Sequence, residues 1–232
     1  MGDLFPEHLE TERLRLEALG PESIDVFALY EAFADDPDPD DVYAHVPLSP
    51  PETPHDSWEF VDRAASNRDE GDAVTYLIRP RDGEEGAGEI AGTTTLFCQW
   101  DRKTAGFAIL LRKPFWGRGY SGERASALIE LAFSRLDLEC VGTSCVAGNE
   151  RSRRAIEKYV AAHGGTYDGR FRNLRTIDGE PVDLHRYTIS REQYAAAVGT
   201  STDGHGGSLT GVKDATRVEA PTVQDRPEPS KE

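Results

Sequence analysis

The run Trp116-Gly117-Arg118-Gly119-Tyr120-Ser121-Gly122 constrains this chain more than any other stretch. Residues 104–111 before it are an apolar strand candidate. In 122–136 after it, Ala125, Leu128, Ile129, Ala132 and Phe133 recur at helical spacing. A strand, a glycine-rich connection and a helix in that order make an anion seat. Glycines let successive backbone N–H groups approach one guest, and the helix N-terminus adds a positive dipole. Pyrophosphate is the natural guest. Arg118 can add charge within the turn, and Arg112 or Lys113 can reach a second phosphate. A tight strand-to-helix connection with no ligand would use the same residues.

Gly117, Gly119 and Gly122 also match G-x-G-x-x-G, the dinucleotide fingerprint. In that fold the glycines directly follow the opening strand, and an acid ends the next strand. Here Arg112 to Trp116 intervene, the segment lies mid-chain, and the next strand carries Glu139 at its start. A nicotinamide enzyme is therefore a minor alternative, to be tested by NAD binding.

The flanking pattern is mixed α/β. Residues 11–17 alternate apolar and charged residues as a half-buried strand, and 21–34 place Ile24, Phe27, Ala28, Tyr30 and Ala34 at helical spacing. Asp35 to Asp41 contains two prolines and predicts a loop running to about residue 51. A helix over Trp58, Val61 and Ala65 ends before Gly71. Strands are expected at 73–80, 88–98, 104–111, 140–146, 166–177 and 182–190, with a helix at 149–162. From about Val198 the chain turns to Gly, Ser, Thr, Asp and Pro with little to bury. The expected organisation is an entry segment 1–8, one domain 9–198 and a disordered acidic tail 199–232.

Charge excludes some functions. The 232 residues carry a formal net charge of −16 at pH 7, which disfavours nucleic acid as a partner. Such a surface either attracts cationic substrates or keeps the chain soluble in high salt, in a halophile-like manner. Cys98, Cys140 and Cys145 form no paired framework, and no apolar run approaches 18 residues. A cytoplasmic protein without membrane association is expected. The six histidines are scattered, and no metal site is indicated.

The segment 115–123 resembles the pyrophosphate loop of the GCN5-related N-acetyltransferase (GNAT) superfamily, specifically its ribosomal-protein N-terminal (RimJ/RimL-like) branch, which reads Tyr-Trp-Gly-x-Gly-Tyr-Ala-x-Glu. Thr11 to Leu16 is similar to that branch's opening strand, Asn149-x-x-Ser152 to its second cofactor motif, and Asp183-x-x-x-Tyr187-x-Ile189-x-Arg191 to its closing strand. The resemblance spans about 9–195. It implies an α/β (α+β) fold with a mixed, mostly antiparallel sheet of six to seven strands, about four helices and a splayed strand pair at the cofactor site. The implied cofactor is acetyl-coenzyme A. Its pantetheine arm would bond the backbone of Ile109 and Leu111, and its pyrophosphate the N–H groups from Arg118 to Gly122. Trp116 would pack the loop, Ser121 stands where a small Ala is usual, and Asn149 would contact a pantetheine amide.

Acetyl transfer needs a neutral amine, a polarised carbonyl and a proton for the departing thiolate. Many relatives place a Tyr seven residues after the motif Asn; here that position is Ile156. The branch uses a Ser hydroxyl instead, which is Ser152, although a first-turn helix residue beneath an Asn cap reads the same way. Asp168 falls where the branch has Glu before Gly, so it is the candidate base through a water, or simply part of an Asp-Gly turn. Glu89 and Asp101 are weaker alternatives. Phe33, Tyr43, His55 and Trp58 are candidate acceptor-pocket residues, or else packing residues. The implied acceptor is a primary amine, a protein N-terminus such as that of a ribosomal protein or a small amine. A coenzyme A-binding sensor without catalysis is the competing class. An exposed strand or helix face could support a homodimer.

Overall fold

The computed structural model describes residues 4–201 apart from residue 178. The opening strand proves to be a hairpin. The Thr11 N–H donates to the Leu14 carbonyl (2.9 Å) and Thr11 Oγ1 accepts from the Leu14 N–H (2.9 Å), reversing the chain between β1 (His8–Glu10) and β2 (Leu14–Ala18). Leu14, Leu16 and Ala18 then alternate inward.

Strands β3 (Ala73–Pro80), β4 (Gly92–Gln99), β5 (Thr104–Leu111), β6 (Cys140–Val146), β7 (Thr166–Ile177) and β8 (Glu180–Ser190) complete one sheet in the order β1-β2-β3-β4-β5-β6-β8-β7. It has eight strands rather than six to seven, because the entry hairpin contributes two. Every neighbouring pair is antiparallel except β5–β6. The expected strand at 88–98 starts four residues late, since Gly86 and Gly88 adopt positive φ and prolong the turn.

Six α-helices replace the expected four or so: α1 (Val26–Ala34), α2 (Pro39–Tyr43), α3 (Pro54–Glu70), α4 (Tyr120–Glu130), α5 (Glu150–Ala162) and α6 (Arg191–Ser201). Helix α2 lies inside the expected 35–51 loop. Pro39 is tolerated because it stands in the first turn, where its missing N–H would have no partner. Asp38 caps it by accepting from the Asp41 N–H (3.3 Å). Helix α4 continues through a π-type turn at Leu131–Arg135. Helix α6 carries ordered structure past 198, where Tyr194 stacks on Phe133 at 4.8 Å. The remainder of the expected tail, 202–232, lies outside the described residues.

The sheet separates two cores. Val74, Tyr76 and Ile78 meet Leu128 of α4 and Ile156 of α5 on one face. Leu77 and Leu110 meet Leu29 and Phe33 of α1 and Val61 of α3 on the other. Helices α4 and α5 therefore lie over the same face, above the parallel pair.

Candidate functional site

Strands β5 and β6 begin together and then part. Only Thr104↔Cys140, Ala105↔Val141 and Gly106↔Gly142 are paired, although β5 runs to Leu111 and β6 to Val146. The result is a wedge, closed at Gly106 and Gly142 and open toward the glycine segment. The Arg112 N–H bonds the Ala91 carbonyl beyond β4 (2.9 Å). Strand alternation then turns the N–H and C=O of Ile109 and Leu111 into the wedge. A cavity of about 1550 Å³ runs through it and is lined from both faces of the sheet.

The glycine segment closes the open end. Gly117 and Gly119 hold φ of +78° and +83°, a conformation that side chains resist, and Gly119 is the N-cap of α4. Among the described residues no backbone carbonyl accepts from the N–H groups of 117–121. Those of Gly122 and Glu123 are taken by the Gly119 carbonyl at 3.1 and 3.3 Å. The run of N–H groups without a backbone acceptor is thus 117–121, one residue earlier than the expected 118–122. Glu123 anchors it, accepting from Thr11 Oγ1 (2.6 Å), the Arg13 N–H (2.7 Å) and Arg13 Nε (2.8 Å), while Arg13 Nη1 donates to the Arg118 carbonyl (2.9 Å). Burial pushes the Glu123 carboxyl up, but the Thr11 and Arg13 bonds hold it below the usual range. Tyr120 turns into the core and its hydroxyl donates to Glu84 (2.8 Å).

The extra cations expected at phosphate are occupied elsewhere. Arg118 Nη1 donates to the Glu85 carbonyl (2.8 Å), Arg112 Nη1 to the Ile90 carbonyl (2.9 Å), and Lys113 to Asp38 (2.9 Å) and Asp41. Each is drawn back to the acids and carbonyls of the preceding loops. Trp116 bonds the Leu111 carbonyl through Nε1 (2.7 Å), which leaves Leu111 its N–H for a guest. Lys113 Nζ (4.4 Å) and the Arg151 guanidinium (4.0 Å) both lie against the Trp116 ring. Ser121 lines the cavity beside it.

Helix α5 forms the adjoining wall. Asn149 caps it by accepting from the Ser152 N–H (3.0 Å), and both side chains line the cavity. The Ser152 hydroxyl makes no hydrogen bond among the described residues. One turn on is Ile156, and beyond it Tyr159, whose hydroxyl meets Thr143 Oγ1 at 3.0 Å just past the closed end of the wedge. Against Tyr159 lies Arg124 of α4, 2 % exposed, with its guanidinium 4.7 Å from the centre of the Phe107 ring. Its guanidinium bonds Tyr159, but Nε and Nη1 have no partner among the described residues, and desolvation pulls its pKa down to about 10. Sequence reasoning missed this pair. The signal was present in the inward stripe Tyr120, Arg124, Leu128 at i, i+4, i+8.

The four expected acceptor residues stand outside the cavity. Phe33 is core, Tyr43 packs against that core with burial pushing its hydroxyl up to about 12, and His55 stacks on Trp58 at 5.6 Å on an exposed flank of α3. A helix lying on a sheet has two flanks, and the aromatic one here faces solvent. The other flank, Phe60, Arg63 and Asn67, lines the cavity at i, i+3, i+7. Asp168 is also displaced. It sits at a bulge in β7, accepts from Thr188 Oγ1 (2.9 Å) and pairs with Arg186 Nε (3.6 Å), and it does not line the cavity. It is therefore neither an Asp-Gly turn residue nor in contact with the reaction space. Glu89 and Asp101 do not line the cavity either.

Residues 13–159 match the family model described as an acetyltransferase (GNAT) domain. The chain is 27 % identical over 186 residues to the uncharacterized N-acetyltransferase YoaA of Bacillus subtilis (strain 168), covering 80 % of this chain and 97 % of that one. Among solved structures, the Microcin C7 self immunity acetyltransferase MccE, in complex with acetyl-CoA and AMP, superimposes with a TM-score of 0.68 at 17 % identity, over 81 % and 98 % of the two chains. The ribosomal L7/L12 alpha-N-protein acetyltransferase RimL gives 0.65 at 18 %, over 82 % and 97 %. At these identities the two structures speak for the fold alone.

Proposed function

The chain belongs to the GNAT acetyltransferase family, and from that premise we propose that it acetylates a primary amine, foremost the α-amino group of a protein N-terminus. The observation that carries the reading is the wedge with its glycine seat. Free N–H groups at 117–121 suit a pyrophosphate, and the N–H groups of Ile109 and Leu111 suit the pantetheine arm along β5. The Asn149 amide, its oxygen spent on the Ser152 N–H, keeps its Nδ2 donors for a pantetheine carbonyl.

Acetyl-coenzyme A supplies an acyl group already activated as a thioester. The chain holds it, keeps the wedge dry through Phe107, Ile156 and Tyr159, and sets Ser152 Oγ to relay to the departing sulfur the proton that the attacking nitrogen loses, so that the hydroxyl is restored. A thiol titrates near 8.5, so a hydroxyl suffices for that step. On the acceptor side no carboxylate among the described lining residues stands ready to take a proton. That arrangement favours an amine already partly neutral near pH 8, as an α-amino group is (about 7.7–8.0), over a lysine or polyamine nitrogen near 10.4. Asp168 then serves to position Arg186. The open acceptor face, bounded by α3 and the β7–β8 hairpin, suits an extended chain end.

The test pairs calorimetry of acetyl-coenzyme A binding with transfer to N-terminal peptides and small amines. Ser152→Ala should bind acetyl-coenzyme A normally and lose on the order of 10²-fold in kcat. The wild-type rate should rise with pH and pass its half-maximum near 8. Tight binding without transfer to any amine would instead favour an acyl-coenzyme A sensor, and full activity in Ser152→Ala would remove its assigned role.

A further inference from the structure

The cavity runs against the charge of the rest of the molecule. In a chain of net charge −16, its lining residues include nine Arg or Lys and only three carboxylates. Those three are already engaged: Glu123 by Arg13 and Thr11, Asp41 by Lys113, and Glu150 by Arg153 at 3.8 Å. All three belong to the end of the wedge that holds the glycine seat and α5.

The nine cations divide between the two faces of the sheet. Arg13, Arg124, Arg151, Arg154 and Lys158 stand on the turn before β2, on α4 and on α5, around the glycine seat and the wedge. A phosphate-bearing cofactor accounts for a positive surround there. The others, Arg63, Arg102, Arg175 and Arg186, lie away from that seat, on α3, the turn after β4, and the β7–β8 hairpin, and no phosphate of the cofactor explains them. They border the strip of sheet that no helix covers. There Gly106, Ala108, Gly142 and Ser144 leave the sheet surface low up to the closed end of the wedge, so an acceptor lying along it passes between these arginines.

Their partners are few. Among the described residues Arg63 and Arg175 make no ion pair, the Arg102 side chain hydrogen-bonds only Gln99 Oε1 (3.0 Å), and Arg186 pairs with Asp168 (3.6 Å), which does not line the cavity. With 42 acidic residues available, the one carboxylate in the described lining of this face is Asp41 of α2, and Lys113 already holds it. A ligand that neutralises the arginines fits such a wall, and a second positive charge is repelled by it.

We infer that the acceptor amine carries an anionic group, carboxylate or phosphate, close to its reactive nitrogen, and that Arg63, Arg102 and Arg186 receive it. This rests on the acetyltransferase reading and narrows it. Amino acids, acidic N-terminal peptides and amino phosphates qualify, while polyamines and other polycationic amines do not. Of the two readings of the acidic surface, it goes against attraction of cationic substrates and leaves solubility in high salt.

The experiment compares acetyl transfer to a Ser-Asp-Glu peptide amide, a Ser-Gln-Gln peptide amide, a Ser-Lys-Lys peptide amide, ethanolamine phosphate, ethanolamine and spermidine, with acetyl-coenzyme A binding followed by calorimetry. Exposed charge pairs contribute about 0.2–1 kcal/mol each, so three arginines give about a tenfold preference in kcat/KM for the acidic peptide over the neutral one. The lysine peptide and spermidine should fall below the neutral references. The peptide and phosphate arms separate a carboxylate seat from a phosphate seat. The double variant Arg63→Ser/Arg102→Gln should raise KM for the anionic acceptor about fivefold or more, with kcat, the neutral peptide and acetyl-coenzyme A binding unchanged. Equal or faster transfer to the cationic amines, or an unchanged KM in the double variant, overturns the anionic acceptor and leaves the acetyltransferase reading standing. Binding of acetyl-coenzyme A with no transfer to any of the six amines overturns the acetyltransferase reading itself, and the acceptor assignment with it.

Discussion

Replacing Arg124 by Met should make the protein more stable and a worse binder of coenzyme A. Arg124 is 2 % exposed, faces no carboxylate, and leaves Nε and Nη1 without partners. Desolvation lowers its pKa to about 10, a fall that corresponds to a penalty of about 3 kcal/mol on the charged form. Because the folded value is depressed for a base, the penalty is fully present at neutral pH and is relieved only as pH rises through about 10. Against it stands the Phe107 ring at 4.7 Å, worth about 2 kcal/mol when desolvated. Met fills a similar volume and is as good a helix former. The net gain is about 1 kcal/mol, or roughly 2–4 °C in Tm for a domain of this size. Urea denaturation between pH 6 and 9 should show that gain, constant across the range. Calorimetry should show acetyl-coenzyme A affinity down by about tenfold or more, the loss of a hydrogen bond from a charged donor. Arg124→Lys, which keeps the charge with a different reach, should regain neither. A Met variant destabilised by more than 1 kcal/mol, or binding as tightly as wild type, would refute the reasoning, since Nε and Nη1 would then have partners inside the protein.

Two further outcomes follow from the glycine seat. Glu123→Gln should cost about 2 kcal/mol at pH 7, because it strips the charge that Thr11 and Arg13 bond. The Glu123 pKa is depressed in the folded state, so its contribution is present above the usual carboxylate range and is lost as pH falls below about 4; denaturation curves of variant and wild type should converge there. Gly119→Ala forces a side chain to φ +83° with its Cβ 3.3 Å from Arg13 Nη2. It should cost about 1–2 kcal/mol and weaken coenzyme A binding, while Gly20→Ala, into open space, should change neither property in the same calorimetry.

What the sequence disclosed was what depends on local order. The strand, glycine segment and helix at 104–136 follow from periodicity and from residues that tolerate positive φ, and both act over a few positions. The extra strand of the entry hairpin was hidden because Thr11 closes its turn with a side-chain bond, so no glycine or proline marks it. Helix α2 was hidden by Pro39, which breaks helices in the middle but begins them well. The site residues divide in the same way. Gly117, Gly119, Asn149 and Ser152 belong to motifs whose geometry is local. Phe33, Tyr43, His55 and Trp58 were chosen for aromatic character, which states that a residue packs but not on which flank. Asp168 was placed by its neighbour Gly169, yet what fixes its carboxylate is β8, reached only through the pairing of β7 and β8.

The sign of the cavity could not be read from the total charge, for a physical reason. The net charge acts over distances that salt shortens: at 0.15 M the Debye length is about 8 Å, so most of the acidic exterior is screened from a point inside the wedge. What remains there is set by residues within that radius, where low-dielectric walls concentrate the field of the cations that line the cavity. The exterior and the site then act on an anionic ligand in sequence. Approach is opposed by the surface, the more so in dilute salt, and capture is favoured by the arginines. Added salt weakens the first effect over long range before it weakens the second at contact. Association of coenzyme A should therefore quicken with moderate ionic strength, opposite to the behaviour of a site whose attraction extends to the protein's surface, and stopped-flow binding at graded salt measures that slope directly.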